Sequence, residues 1–298
     1  MKEMHGIIEL SPEDGIKEDL TSTHQEEHFT PVGRPNHRRK TDLDHQLVGD
    51  ACKEAISFLV RSADEKLIYQ KMKEVFQYYQ ELVYRSTDDL SLSQVNQDFL
   101  LMFDDETSSK LLEKWDTVLK PKVIKLAKSL TANTDLRRLL KSAEKLPEND
   151  SETNWDNDMS SLLLLLHLLP PPAGGKRTKI SASDAVGRLV HFHKSCCSIE
   201  DHLDGSHGRQ PYLLAVGRRQ SKIDNYYIVA DKKLVPCQAT SGLCAFDELF
   251  KAHFVFNLSY DDALVNFYTF VQTTIYNIDV DKTREAPGVI ELRTKRIN

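Results

Sequence analysis

Residues 210–276 constrain the fold of this chain more than any other stretch, because short apolar runs alternate there with helix-like segments. Two runs rich in strand-forming residues, 212–216 and 226–230, flank a polar segment and predict a hairpin with a long polar connection. A helix is predicted over 240–251, followed by a short buried strand at 254–256. All of these elements are scaffold, and none of them carries a catalytic signature.

The surrounding residues extend this pattern into a predicted domain at 180–278. Ser181 and Asp184 have the spacing of a capping box, and the helix that they begin is expected to include Val190 and Phe192. The resulting order is helix–strand–strand–helix–strand–helix. It predicts a small C-terminal α+β domain with a three-stranded, mainly antiparallel sheet and helices covering one face.

The first half of the chain has a different periodicity. Apolar residues recur every three or four positions over 48–146, which predicts an N-terminal helical bundle. Residues 1–45 are polar and predict a disordered tail, and 279–298 form a C-terminal tail. A linker is predicted at 147–179, with an apolar segment at 161–169 that forms a buried helix turn or strand. The predicted fold class is therefore α+β.

Composition narrows the class of protein. The chain has 298 residues, of which 40% are hydrophobic and 28% charged, as in ordinary soluble proteins. Its net charge of −6 gives no overall basic field that would draw it onto nucleic acid or an anionic membrane. Five irregularly spaced cysteines favour free thiols in a reducing compartment. No apolar run is long enough to cross a membrane, so we expect the cytoplasm or the nucleus.

Three basic runs are candidate contacts for a protein partner or for the phosphate backbone of a nucleic acid. They occur at 34–40, 217–222 and 293–296. The alternative interpretation of each run is a solvated basic turn without a binding role. The candidate residues are Arg38, Arg39, Lys40, Arg218, Arg219, Lys222, Arg293 and Arg296.

One set of histidines and cysteines has the chemistry of a zinc site. His193 and Cys197 are four residues apart and would share a helix face, with His191 and Cys244 as further ligands. The spacing lacks the Cys-x-x-Cys pair that is typical of such sites. Solvated histidines and buried free thiols are the alternative interpretation. No cofactor is predicted.

Other chemical motifs are incomplete. Residues 174–179 contain Gly-Gly-Lys but lack the upstream glycine and strand of a phosphate-binding loop. No glycine-bracketed turn surrounds any cysteine, so a cysteine nucleophile is not predicted. Acidic clusters, such as the ones that contain Asp104 and Asp156, are expected to cap helices.

Several segments resemble a group of vertebrate proteins similar to the C-terminal region of sterile-alpha-motif-domain proteins. The segments are 97–103, Lys114 with Trp115, Lys120 with Pro121, 165–170, 210–214 and 246–253. The resemblance covers roughly residues 60–280 and implies an interaction protein, with a mobile-element origin left open. The first forty-five residues do not resemble a sterile alpha motif.

These observations predict a non-enzymatic intracellular interaction or scaffold protein with a protein partner. The polar residues are assigned to caps, linkers and solvated faces, which leaves no nucleophile, base and orienting group together. A nucleic-acid-associated protein that uses the basic runs is the alternative, and a zinc-binding module is a more distant one.

Overall fold

The computed structural model describes residues 92–144, 155–172, 180–204, 210–230, 232–256 and 258–297. All of these belong to one compact unit that spans 33–298. The predicted tail at 1–45, the predicted helices before residue 91, and Arg38, Arg39 and Lys40 lie outside the described residues.

Helices dominate the described part of the chain, and none of them is both long and apolar enough to cross a membrane. Short π-helical segments, Trp115–Leu119, Val271–Ile275 and Arg293–Ile297, directly follow three of the α-helices or join two of them. The α-helices are α1 Leu92–Phe103, α2 Asp105–Lys114, α3 Lys120–Ala127, α4 Thr134–Glu144, α5 Asn157–Leu168, α6 Ala182–Leu189, α7 Ile199–Asp204, α8 Gly242–Val255, α9 Val265–Phe270 and α10 Pro287–Leu292.

The described residues form one four-stranded sheet in the order β1-β2-β3-β4. Strand β1 runs parallel to β2, whereas β2 with β3 and β3 with β4 are antiparallel. The α+β class is confirmed and the hairpin forms, but the predicted three-stranded sheet is wrong. The predicted long polar connection is also wrong, because β2 extends to Arg219 and β3 begins at Lys222. The strands are β1 Val190–Lys194, β2 Tyr212–Arg219, β3 Lys222–Ala230 and β4 Lys233–Pro236.

Two predicted elements differ from the structure, and packing explains both differences. The capping box of Ser181 and Asp184 is present, but α6 ends at Leu189 and Val190 adopts an extended backbone to pair with β2. The strand predicted at 254–256 is wrong, because α8 continues to Val255. There the Phe254 ring lies 5.8 Å from the ring of Phe99 on α1, so this apolar run is buried by a helix.

Both faces of the sheet are covered, and not one face as the sequence predicted. Leu213 and Ala215 of β2 pack into the main hydrophobic core. The alternate residue Leu214 belongs to a second cluster, against which Ile199 and Leu203 of α7 pack. Strand β2 is therefore apolar on both faces, as expected for a central strand.

The helices before and after the sheet share the main core. The Phe250 ring of α8 stacks on Tyr276 with ring centres 4.3 Å apart. On α5, Ser161 accepts a hydrogen bond of 3.1 Å from Nε1 of the buried Trp115. Buried residues between 95 and 143 thus belong to the same core as those after 180. The division into two domains stays a prediction, since residues 48–91 lie outside the described part.

Helix α8 carries a charged network inside the core. Asp247 and Lys251 are 3% and 6% exposed, and their charged atoms lie 2.7 Å apart. The hydroxyl of Tyr276, which is fully buried, donates a hydrogen bond to Asp247. Burial raises the pKa of Asp247, while Lys251 and the hydrogen bond from Tyr276 oppose that rise. The network therefore depends on all three groups being paired.

Replacing Tyr276→Phe keeps the ring stacking on Phe250 and removes only the hydroxyl. We expect the free energy of unfolding in urea to fall by about 1–3 kcal/mol, because a buried carboxyl group loses a partner. The matched control is Tyr227→Phe on half-buried Tyr227, which we expect to change stability by less than about 0.5 kcal/mol. Equal stability of the two variants would contradict the importance of this network.

Candidate functional site

A cleft of about 210 Å³ lies between helices α4, α5 and α6 and the turn that joins β2 to β3. Its apolar walls come from Leu139, Trp155, Leu163 and Val186. Leu163 is fully buried and Leu139 nearly so, whereas Trp155 and Val186 are half-buried at the edge. The Trp155 ring makes an edge contact with Phe192 of β1, with ring centres 6.3 Å apart.

The polar lining comes from the same three helices and from the turn. Helical spacing brings the contributions of each helix onto one face, since residues three or four apart are neighbours. On α5, for example, His167 lies one turn after Leu163. The polar lining residues are Asp135, Arg138, Ser142, His167, Ser183 and Gln220.

His167 is the most unusual of these residues. It is 8% exposed, and its Nε2 atom is shielded from solvent with no hydrogen-bond partner among the described residues. Burial lowers the pKa of His167 below its ordinary value of 6.5, and the negative charge of Asp135 only partly opposes this. The imidazole is therefore expected to be neutral at pH 7, with an unused hydrogen-bonding atom on a residue that lines the cleft.

One hydrogen bond fixes part of the polar rim. The Asp135 carboxylate accepts a hydrogen bond of 2.8 Å from the Ser183 hydroxyl, which joins α4 to α6. Arg138 is exposed on the next turn of α4. The cleft thus has one carboxylate, already hydrogen-bonded, and one exposed guanidinium group among its lining residues.

The hairpin places predicted cations next to a residue that lines the cleft. Gln220 lines the cleft, and the neighbouring Arg218, Arg219 and Lys222 are exposed at the ends of β2 and β3. Gly217 allows the strand irregularity just before the turn, because a Cβ atom there would lie 2.5 Å from the Lys222 carbonyl oxygen. The predicted cations therefore flank one lining residue of a concave site, which the sequence did not reveal.

Arg293 is the one remaining predicted cation whose side chain the structure describes, and it does not line the cleft. Arg293 is half-buried and forms a two-pronged ion pair with Glu285, with distances of 2.9 and 2.8 Å. The side chain of Arg296, like those of Arg38, Arg39 and Lys40, lies outside the described residues. A common face for all three basic runs stays a prediction.

The predicted zinc ligands occupy different elements. His191 and His193 lie on β1, Cys197 follows in an exposed turn, and Cys244 lies in the first turn of α8. His193 Nε2 is 3.2 Å from the Cys197 carbonyl oxygen, and its ring lies 5.6 Å from that of His202. In the part of the chain that the structure describes, no three His, Cys, Asp or Glu residues form a group that could hold a metal ion.

Acidic residues confirm their predicted capping role at two helix starts. Asp104 and Asp156 each accept a hydrogen bond of 2.7 Å from the backbone three residues later, at the start of α2 and α5. Asp156 also accepts a 3.4 Å hydrogen bond from Tyr226, and burial raises the pKa of both groups. These carboxylates are structural.

No protein-family model, no curated protein and no solved structure matches this chain. The resemblance to sterile-alpha-motif-domain proteins therefore stays a prediction, and the cleft must be interpreted from its own chemistry.

The buried neutral His167 should make stability sensitive to acid. Below pH 6.5 the unfolded chain binds the proton more readily than the folded one, so stability falls with pH until it passes the lowered folded-state pKa. In His167→Gln this contribution is absent, and we expect its free energy of unfolding to decline less steeply as pH falls below 6.5. Urea unfolding at a series of pH values measures the difference. Parallel curves for the two proteins would show that His167 titrates normally.

Proposed function

We propose that this protein is a non-enzymatic interaction protein that binds an acidic segment of a partner protein at the cleft and its basic rim. The proposal is carried by one observation. Arg138 on α4 and Gln220 in the hairpin turn line the same cleft, and the exposed Arg218 and Arg219 directly precede Gln220 at the end of β2. One cation that lines the cleft and two cations next to a lining residue, from elements distant in sequence, thus lie at or beside one concave site.

The size of the cleft favours a peptide over a cofactor. Sites for drug-sized ligands usually occupy about 300–1,000 Å³, and this cleft holds about 210 Å³. Such a volume suits one anchoring side chain with its neighbours lying across the rim. Short segments often bind in this way, with a buried anchor that supplies affinity and flanking residues that supply specificity.

The charge of the rim favours an acidic partner. Because the whole chain has a net charge of −6, a positive local potential is expected only where several exposed cations are grouped. Arg138, Arg218, Arg219 and Lys222 are such a group, and they would attract carboxylates and speed their association. The four described cysteines are free thiols, which fits a protein of the cytoplasm or nucleus.

The experiment measures binding of a fluorescein-labelled, glutamate-rich peptide with a single tyrosine, by fluorescence anisotropy at low salt. Arg218→Glu/Arg219→Glu is expected to weaken binding by about tenfold or more, because two attractions become repulsions. The control, Lys125→Glu/Arg284→Glu, makes the same change in net charge at two exposed cations that neither line the cleft nor adjoin a lining residue in the sequence. It is expected to leave affinity within about twofold.

Equal weakening by both double variants would overturn the proposal, because only net charge would then matter. A single-stranded oligonucleotide of the same net charge as the peptide provides the second arm. If the oligonucleotide binds and the peptide does not, the turn is a phosphate contact and the nucleic-acid alternative is correct.

A further inference from the structure

A residue that lines the cleft has a polar atom with no hydrogen-bond partner in the described part of the chain. His167 is more than nine-tenths buried, and its Nε2 atom has no hydrogen-bond partner among the described residues. A buried polar atom without a partner costs free energy, and such atoms are rare in folded proteins. Because His167 also lines the cleft, a ligand in the cleft is placed to satisfy it.

Four apolar side chains share the lining of the cleft with His167. Leu163 precedes His167 by one helical turn, and Leu139 and Val186 face the same cavity from α4 and α6. The half-buried Trp155 adds an aromatic wall. A matching ligand therefore has an apolar, preferably flat body and one polar tip.

The charges near His167 restrict the chemical group that the ligand can carry at its polar tip. A carboxylate at the imidazole would be repelled by Asp135, whose negative charge already acts on His167. An ammonium group would be attracted by the same Asp135, but at His167 burial outweighs that attraction for a positive charge, so an ammonium group is costly there as well. A neutral hydroxyl avoids both costs and can donate to or accept from Nε2, so it fits either tautomer of the imidazole.

We infer that the cleft binds a tyrosine side chain of the partner's acidic segment, with the phenol hydroxyl hydrogen-bonded to His167 Nε2. This inference rests on the proposed function and specifies its anchor. Carboxylates that flank the tyrosine then lie over Arg138 and the cations of the hairpin turn. Nε2 is shielded from solvent in the empty cleft, so the imidazole turns about its second side-chain torsion when the hydroxyl enters.

The test uses p-cresol, which is the tyrosine side chain alone, and toluene, which lacks only the hydroxyl. Binding to the full-length protein is measured by titration calorimetry, and the ring resonances of His167 are followed by NMR. We expect p-cresol to bind about five- to tenfold more tightly than toluene, the advantage of one neutral hydrogen bond. The His167 resonances should shift with p-cresol and much less with toluene.

Two variants separate the hydroxyl contact from the cavity. His167→Leu should bind both compounds with similar affinity, since the hydrogen-bonding atom is gone. Val186→Phe should fill the edge of the cleft and weaken both compounds while leaving His167 in place. If His167→Leu does not fold, the NMR shifts of the wild-type protein and the Val186→Phe variant still decide the question.

The inference is overturned if p-cresol binds no more tightly than toluene, if neither compound binds, or if the preference for p-cresol survives in His167→Leu. Its failure is distinct from failure of the proposed function. Glutamate-rich peptides with tyrosine or phenylalanine that bind equally well would support the function and reject the phenol anchor. Preference for p-cresol without any peptide binding would support the phenol site and reject the acidic segment.

Discussion

The burial of helix α5 is the constraint on which the rest of the structure depends. Every residue from Met159 to His167 is buried, so this helix must be covered on all sides. Trp115, α4, α6 and α8 supply that cover, and α5 links the helical first part to the rest of the core. Half of the helix is leucine, which needs only apolar contact. The buried Ser160 and Ser161 donate hydrogen bonds to backbone carbonyl oxygens, whereas Nε2 of His167, near the end of the helix, has no partner among the described residues.

Local sequence signals were sufficient where they depended on neighbours in the chain. The apolar run at 161–169 indicated a buried element that ends at the prolines, and α5 ends at Leu168. The capping box of Ser181 and Asp184 gave the start of α6. Each of these signals acts within a few residues.

Signals failed where long-range contacts decided the outcome. Val190 was compatible with helix or strand, and only its pairing with Leu213 selects the strand. Phe254 lies in a short apolar run, which predicted a strand. It is instead part of α8, where Phe99 of a helix distant in the sequence packs against it. The cleft has the same origin. Its lining comes from helices that lie apart in the sequence, so the exposed cations of the turn could be named while their concave neighbour could not.

The same buried position that makes His167 costly for folding makes it suitable for recognition. Burial keeps the imidazole neutral, so the cleft can offer a hydrogen bond without attracting ions into an apolar cavity. Charge is instead exposed to water, on Arg138 and on the cations beside the hairpin turn. In the proposed complex this separation would let the anchor supply affinity that salt does not screen, while the exposed cations would select partners by charge. A site of this design discriminates between segments of the same net charge by the side chain that they place in the cleft.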